Sequence, residues 1–190
     1  MRRPVLAPKS HLMPTKKKAP PKGKSTAGTA AAKDLSSLEG RKAPAFALAD
    51  HAGNTVKLAD LIGTKKLVLY FYPKDLTPGC TIEACSFRDQ QAALRSAGAQ
   101  VVGISGDSTA LHEKFRAKHD LNFPLLSDVG NEVGRAYGVY KKKSLYGREF
   151  MGIERTTFVI DRTGIIRKVL PKVKVAGHAD AVVEALKALR

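Results

Sequence analysis

The sequence predicts an α/β domain built on a central mixed sheet covered by helices on both faces. Three observations predict it. Leu67–Tyr72 and the Val-Val-Gly-Ile run within Gln100–Ser105 are short and continuously apolar, as strands buried on both sides are. The segments that follow each of them repeat apolar residues at helical spacing. Two turn-forming tetrads, His51–Asn54 and Asp161–Gly164, each sit between short β-type runs, the arrangement of hairpins. Strand, helix, strand, helix, then hairpin and closing helix is the order of an α/β sheet with mixed strand directions.

In chain order, Ala45–Leu48 and Thr55–Leu58 flank the first tetrad as an N-terminal hairpin. Leu67–Tyr72 is a buried strand. From Thr81 to about Ala97 the pattern Ala84, Phe87, Leu94 is helical, with a lapse at Gln91, and Gly98 ends it. Gln100–Ser105 is the second buried strand. Asp107 and Ser108 then cap a helix over 109–119 that buries Leu111 and Phe115. Phe123–Leu126 reads as a short strand and Asn131–Tyr137 as a short helix. Thr156–Ile160 and Ile165–Leu170 form the second hairpin. The last helix shares Val182, Val183, Leu186 and Leu189 on one face.

Composition separates a tail from a domain. The 190 residues carry a formal net charge of +16, of which residues 1–33 hold +9 with no acidic residue. That stretch is rich in Pro, Ala, Ser, Thr and Gly and has no aromatic side chain. It cannot bury enough apolar surface to offset its ordering entropy, so residues 1–36 are expected to be a disordered basic tail and 37–190 the folded domain. Beyond a solvated extension, such a tail suits nonspecific nucleic-acid contact, an acidic-surface tether or an organelle presequence; Lys outnumbering Arg and the lack of an amphipathic pattern weigh against the last. No apolar run reaches the roughly 20 residues that cross a bilayer, and no signal-peptide core is evident, so a soluble, cytoplasmic protein is expected. The two cysteines exclude a stapled secreted scaffold. The five histidines are scattered without metal-ligand spacing, and no metal or cofactor motif is present.

The most informative segment is Tyr72-Pro73-Lys74-Asp75-Leu76-Thr77-Pro78-Gly79-Cys80, with Cys85 five residues on. Pro78-Gly79 breaks the preceding strand and delivers Cys80 to the first turn of a helix. Unpaired N–H groups and the helix dipole stabilise a thiolate there. A lone intracellular cysteine can equally be a small buried hydrophobe. The Pro-x-x-x-Thr-x-x-Cys spacing favours the reactive reading. Thr77, three residues earlier, can bring its hydroxyl beside the sulfur, and Pro73 offers an apolar wall without a competing N–H.

The Pro73, Thr77, Cys80 set, within Tyr-Phe-Tyr-Pro-Lys-Asp-Leu-Thr-Pro-Gly-Cys-Thr-Ile-Glu-Ala-Cys (residues 70–85), resembles the active-site signature of the peroxiredoxins, in the peroxiredoxin Q or bacterioferritin comigratory protein branch. The resemblance runs from about Leu38 to Arg190. It implies a thioredoxin-like fold with an N-terminal extension and a thiol peroxidase that reduces hydrogen peroxide and organic hydroperoxides without cofactor or metal. It implies Cys80 as the peroxidatic residue and Arg155, in Gly152-Ile153-Glu154-Arg155-Thr156-Thr157-Phe158, as the guanidinium that holds the thiolate and the leaving oxygen. By sequence alone Arg155 reads as a surface arginine, and Arg88 as a packing residue or the partner of Asp89 or Glu83. The resemblance further implies that Cys85 resolves the Cys80 sulfenic acid within one chain and that thioredoxin or a similar dithiol reduces the disulfide, in a monomer. On an intact helix residues five apart have Cα atoms about 8.7 Å apart, beyond the roughly 7 Å a disulfide tolerates; that bond therefore requires the first turns to unwind. The run Lys141–Lys143 is expected in a loop near Arg155. Two other functions fit parts of the chain: a thiol–disulfide oxidoreductase, against which the missing Cys-x-x-Cys counts, and a DNA-associated redox protein acting through the tail.

Overall fold

The computed structural model describes residues 35–145 and 147–189, without the Leu145 side chain. Residues 1–34, which hold nearly all of the expected tail, lie outside the described residues. The packed domain reaches two residues further back than composition implied. A 3-10 turn, Leu35–Leu38, buries Leu35 in the core, because an apolar side chain beside Gly138 has a hydrophobic surface to join.

A seven-stranded sheet runs in the order β2 (Thr55–Lys57), β1 (Ala47–Asp50), β5 (Leu125–Ser127), β4 (Ala99–Ser105), β3 (Lys66–Phe71), β8 (Thr156–Ile160), β9 (Ile166–Leu170). β3, β4 and β5 are parallel neighbours, while β1, β2, β8 and β9 pair antiparallel. The sheet is mixed, as expected. β3 shows why its run is continuously apolar: Leu67, Leu69 and Phe71 enter the core on one face, and Val68, Tyr70 and Tyr72 the core on the other. The second core also takes Phe87, Leu94, Phe115 and Val182 from helices α2 (Pro78–Asp89), α3 (Gln91–Ser96), α4 (Thr109–His119) and α6 (His178–Ala188). The first is closed by α1 (Leu58–Leu61) and by Tyr137, at the end of α5 (Glu132–Ala136). Segment 39–43 runs beside β9, exchanging backbone hydrogen bonds through Gly40, Arg41 and Ala43, while Glu39 accepts the Val169 N–H at 2.8 Å.

Two expectations need correction. The helix expected over 81–97 is two helices, α2 and α3, divided at Gln90. The apolar repeat lapses at Gln91, so no buried face carries one straight helix across that point. Lys141–Lys143 is not a loop. It lies in β6 (Tyr140–Leu145), which pairs antiparallel with β7 (Arg148–Ile153) in a separate two-stranded hairpin. Lysine stems can lie along a ribbon while their ammonium groups reach water or a partner, as Lys142 and Lys141 do with Glu149 and Glu154, so the strand has no apolar signature. The short α1 was not anticipated.

Candidate active site

β3 ends in the loop Tyr72–Thr77, and α2 begins directly after it. Thr77 is the residue before the first turn and Pro78 the first helical residue, where a missing N–H costs nothing. Cys80 is therefore the third residue of α2, among N–H groups with no partner inside the helix. It is 2% exposed. β8 starts on the neighbouring strand, and Arg155 just before it reaches under α2: its Nη2 donates to Cys80 Sγ at 3.2 Å.

Glu83, one turn beyond Cys80, binds the other side of the same guanidinium. Arg155 Nη1 donates to Glu83 Oε2. One arginine thus spans a buried carboxylate and the sulfur. The remaining oxygen, Glu83 Oε1, is buried with no hydrogen bond and lies 4.0 Å from His178 Nε2 at the start of α6. His178 Nε2 is also 2.8 Å from Thr157 Oγ1 on β8. Burial pushes the Glu83 carboxyl up to about 7, against the pull of Arg155. Burial, reinforced by the Arg155 charge, holds His178 down at about 4. Lys143 on β6 also comes close: its Nζ donates to the Ile153 carbonyl, and burial and Arg155 lower its pKa against the opposing pull of Glu154 and Cys80.

A sulfur charged as thiolate meets a fixed cation, and a substrate oxygen placed beside it meets the same cation. The comparisons bear on what that arrangement serves. The AhpC/TSA family model matches residues 40–169, from the segment beside β9 through β9 itself. The chain belongs to the AhpC/TSA family of peroxiredoxins. The Bacillus subtilis peroxiredoxin Bcp is 49% identical to this peroxiredoxin over 151 residues, covering 80% of this chain and 94% of that protein. A solved structure of the Xanthomonas campestris bacterioferritin comigratory protein, described for its alkyl peroxide reduction activity, is 44% identical with a TM-score of 0.72. It covers 76% of this chain and 91% of that one. The reduced 2-Cys peroxiredoxin of Plasmodium vivax, at 24% identity and a TM-score of 0.67 over 80% of this chain and 96% of that one, shares the fold. The peroxiredoxin therefore has the thioredoxin-like architecture the residue 70–85 motif implied, on the peroxiredoxin Q branch.

Of the residues singled out in the sequence, the structure brings Cys80 and Arg155 into contact. Thr77 lies at the head of the same helix, but its hydroxyl does not turn to the sulfur; it donates to the Lys74 carbonyl at 3.0 Å. Its lone pairs are left to accept. Pro73 is exposed in the same loop. Cys85 is half-buried on α2, which is regular from Pro78 to Asp89, and both cysteines are free thiols. Arg88 takes the expected partner Asp89 at 2.8 Å and also donates to the His119 carbonyl at 2.7 Å. Glu83 belongs instead to Arg155. The sequence held one signal for that: Glu83 stands three residues after Cys80, so both side chains project from one helical face. His178 and His112 carried no such signal. Among the described residues no cluster of metal-binding side chains occurs, and no helix is long and apolar enough to cross a membrane.

Proposed function

We propose that this chain reduces hydrogen peroxide and organic hydroperoxides through Cys80, with Cys85 resolving the product and thioredoxin or a similar dithiol returning both thiols. The observation that carries the reading is the 3.2 Å contact from Arg155 Nη2 to Cys80 Sγ at the head of α2. The Cys80 thiolate attacks the peroxide oxygen that bears hydrogen, an S–O bond forms as the O–O bond breaks, and Cys80 becomes a sulfenic acid. The departing alkoxide or hydroxide takes a proton from solvent and leaves as alcohol or water. Arg155 balances the negative charge that moves from sulfur to that oxygen. Thr77, whose own O–H donates to the Lys74 carbonyl, accepts a hydrogen bond from the O–H of the incoming hydroperoxide, and Pro73 supplies an apolar ring without an N–H on that side of the loop. The Cys85 thiolate then attacks the Cys80 sulfur and expels hydroxide, which leaves as water. A dithiol reduces the resulting bond by exchange.

Both cysteines lie on one helix of one chain, which supports resolution within a monomer. The scarcity of cysteine supports a reducing, cytoplasmic setting. The +9 carried by residues 1–33 supports nonspecific, salt-sensitive contact with nucleic acid alongside the catalysis. Stopped-flow oxidation of the reduced protein by peroxide tests the central reading. Cys80→Ser should abolish peroxide consumption; if it stays active while Cys85→Ser is inert, the two assignments are reversed.

A further inference from the structure

A second buried polar network, separate in its hydrogen bonds from that of Arg155, holds the Tyr72–Thr77 loop. Asp75 is 3% exposed and His112, on α4, is fully buried. The Asp75 carboxylate accepts the Tyr72 O–H at 2.6 Å on Oδ1 and the His112 Nδ1–H at 2.7 Å on Oδ2. Its backbone N–H donates at 2.7 Å to Asp107 Oδ2, which also takes the Ser105 hydroxyl at 2.8 Å. The loop is thereby fixed from three directions: the end of β3, the turn after β4, and α4.

Stability alone is a poor explanation for this set. An apolar cluster of the same volume holds a loop with less desolvation than a buried carboxylate and imidazole. His112 Nε2 is buried without a partner, a standing cost that a leucine would lack. What the polar set gives is a fixed position. Directly after Asp75, Leu76 is held at φ +59°, a conformation its Cβ disfavours. Thr77 follows, its hydroxyl oriented by the Lys74 carbonyl inside the same pinned loop.

We propose that His112, acting through Asp75, is a positioning residue for the peroxide: it sets the loop that presents Pro73 and the Thr77 lone pairs to the substrate, and touches neither substrate nor sulfur. The proposal rests on the peroxidase reading. It predicts that the network serves the step that needs Thr77 in place and is indifferent to thiolate chemistry that does not. Two second-order rates separate these on the full-length reduced protein, oxidation by hydrogen peroxide and alkylation of Cys80 by iodoacetamide, both in a Cys85→Ser background. His112→Leu should slow peroxide oxidation ten- to a hundredfold and leave alkylation within twofold. His112→Asn, which keeps an N–H where Nδ1 stood, should recover most of the loss. Tyr72→Phe, which removes one hydroxyl and keeps the ring, should slow oxidation by a smaller factor with alkylation again unchanged, and stands in should His112→Leu fail to fold. Equal losses in both rates, no loss in either, or no recovery with asparagine would overturn the proposal. Failure of the peroxidase reading is distinct, since the Cys85→Ser parent itself would then not react with peroxide.

Discussion

At the scale of the residue, Arg155 is shared between a sulfur and a carboxylate, and removing its charge affects both. Arg155→Met should slow the first oxidation step about a hundredfold, on the scale of losing one oxyanion donor, and Thr77→Val should act in the same direction; stopped-flow rates check both. Glu83 and His178 carry opposite pH signatures. Glu83 rises from 4.5 unfolded to about 7 folded, so the folded state holds the extra proton, and the stability this confers below pH 4.5 is lost as pH climbs through 7. His178 falls from 6.5 to about 4, so its contribution is present above pH 6.5 and is lost as pH drops toward 4. Between about pH 4.5 and 6.5 the two slopes oppose each other. Urea unfolding should therefore show the parent-minus-Glu83→Gln stability difference falling with pH across that window, and the parent-minus-His178→Asn difference rising. Parallel curves for parent and variants would remove these groups from the titration. Cys80 and Arg155 were legible in the sequence because a motif carries each. Their 75-residue separation is bridged by the β3–β8 pairing. Glu83 left only its helical spacing from Cys80, which does not name a partner 72 residues away, and His112 left no local pattern at all, its partner lying 37 residues away.

At the scale of the element, α2 holds both cysteines, so the proposed bond between them requires α2 to change. In the regular helix their Cα atoms stand about 8.7 Å apart, too far for the bond. Oxidation should melt the first turns, releasing Ala84 and Phe87 from the core beneath Tyr70. Amide exchange over 80–88 should quicken in peroxide-treated protein and stay slow in Cys85→Ser, which should accumulate oxidised Cys80 instead. Equal protection in both states, with the intramolecular disulfide verified by mass spectrometry, would refute the melting. The strands and helices that bury apolar residues were read from periodicity, because burial on two faces writes itself as an unbroken apolar run. The β6–β7 hairpin was not: with lysines on one strand and mostly exposed residues on the other, its pairing is written in backbone hydrogen bonds that no side-chain pattern records. The division at Gln90 left a trace, the lapse at Gln91, that periodicity registers as a weak point without showing a break.

At the scale of the molecule, a basic stretch precedes in sequence the domain that holds Cys80, Cys85 and Arg155. Deleting residues 1–33 should leave the peroxide rate within twofold and weaken retention on DNA, whose affinity for the full chain should fall steeply with salt; a large loss of rate would mean that the extension docks on the domain. Where such a cut is made matters more than how long it is. β9 is the outermost strand on its side of the sheet, and its outward backbone groups are occupied by segment 39–43, with Glu39 taking the Val169 N–H. A chain trimmed to Lys33 keeps that cover. Trimmed past Ala43, it would present an open strand edge, the template on which proteins recruit copies of themselves into aggregates, and light scattering should rise with concentration in the shorter form alone. The few residues between the charged extension and the first strand thus act as a selvedge, keeping a seven-stranded sheet from growing an eighth.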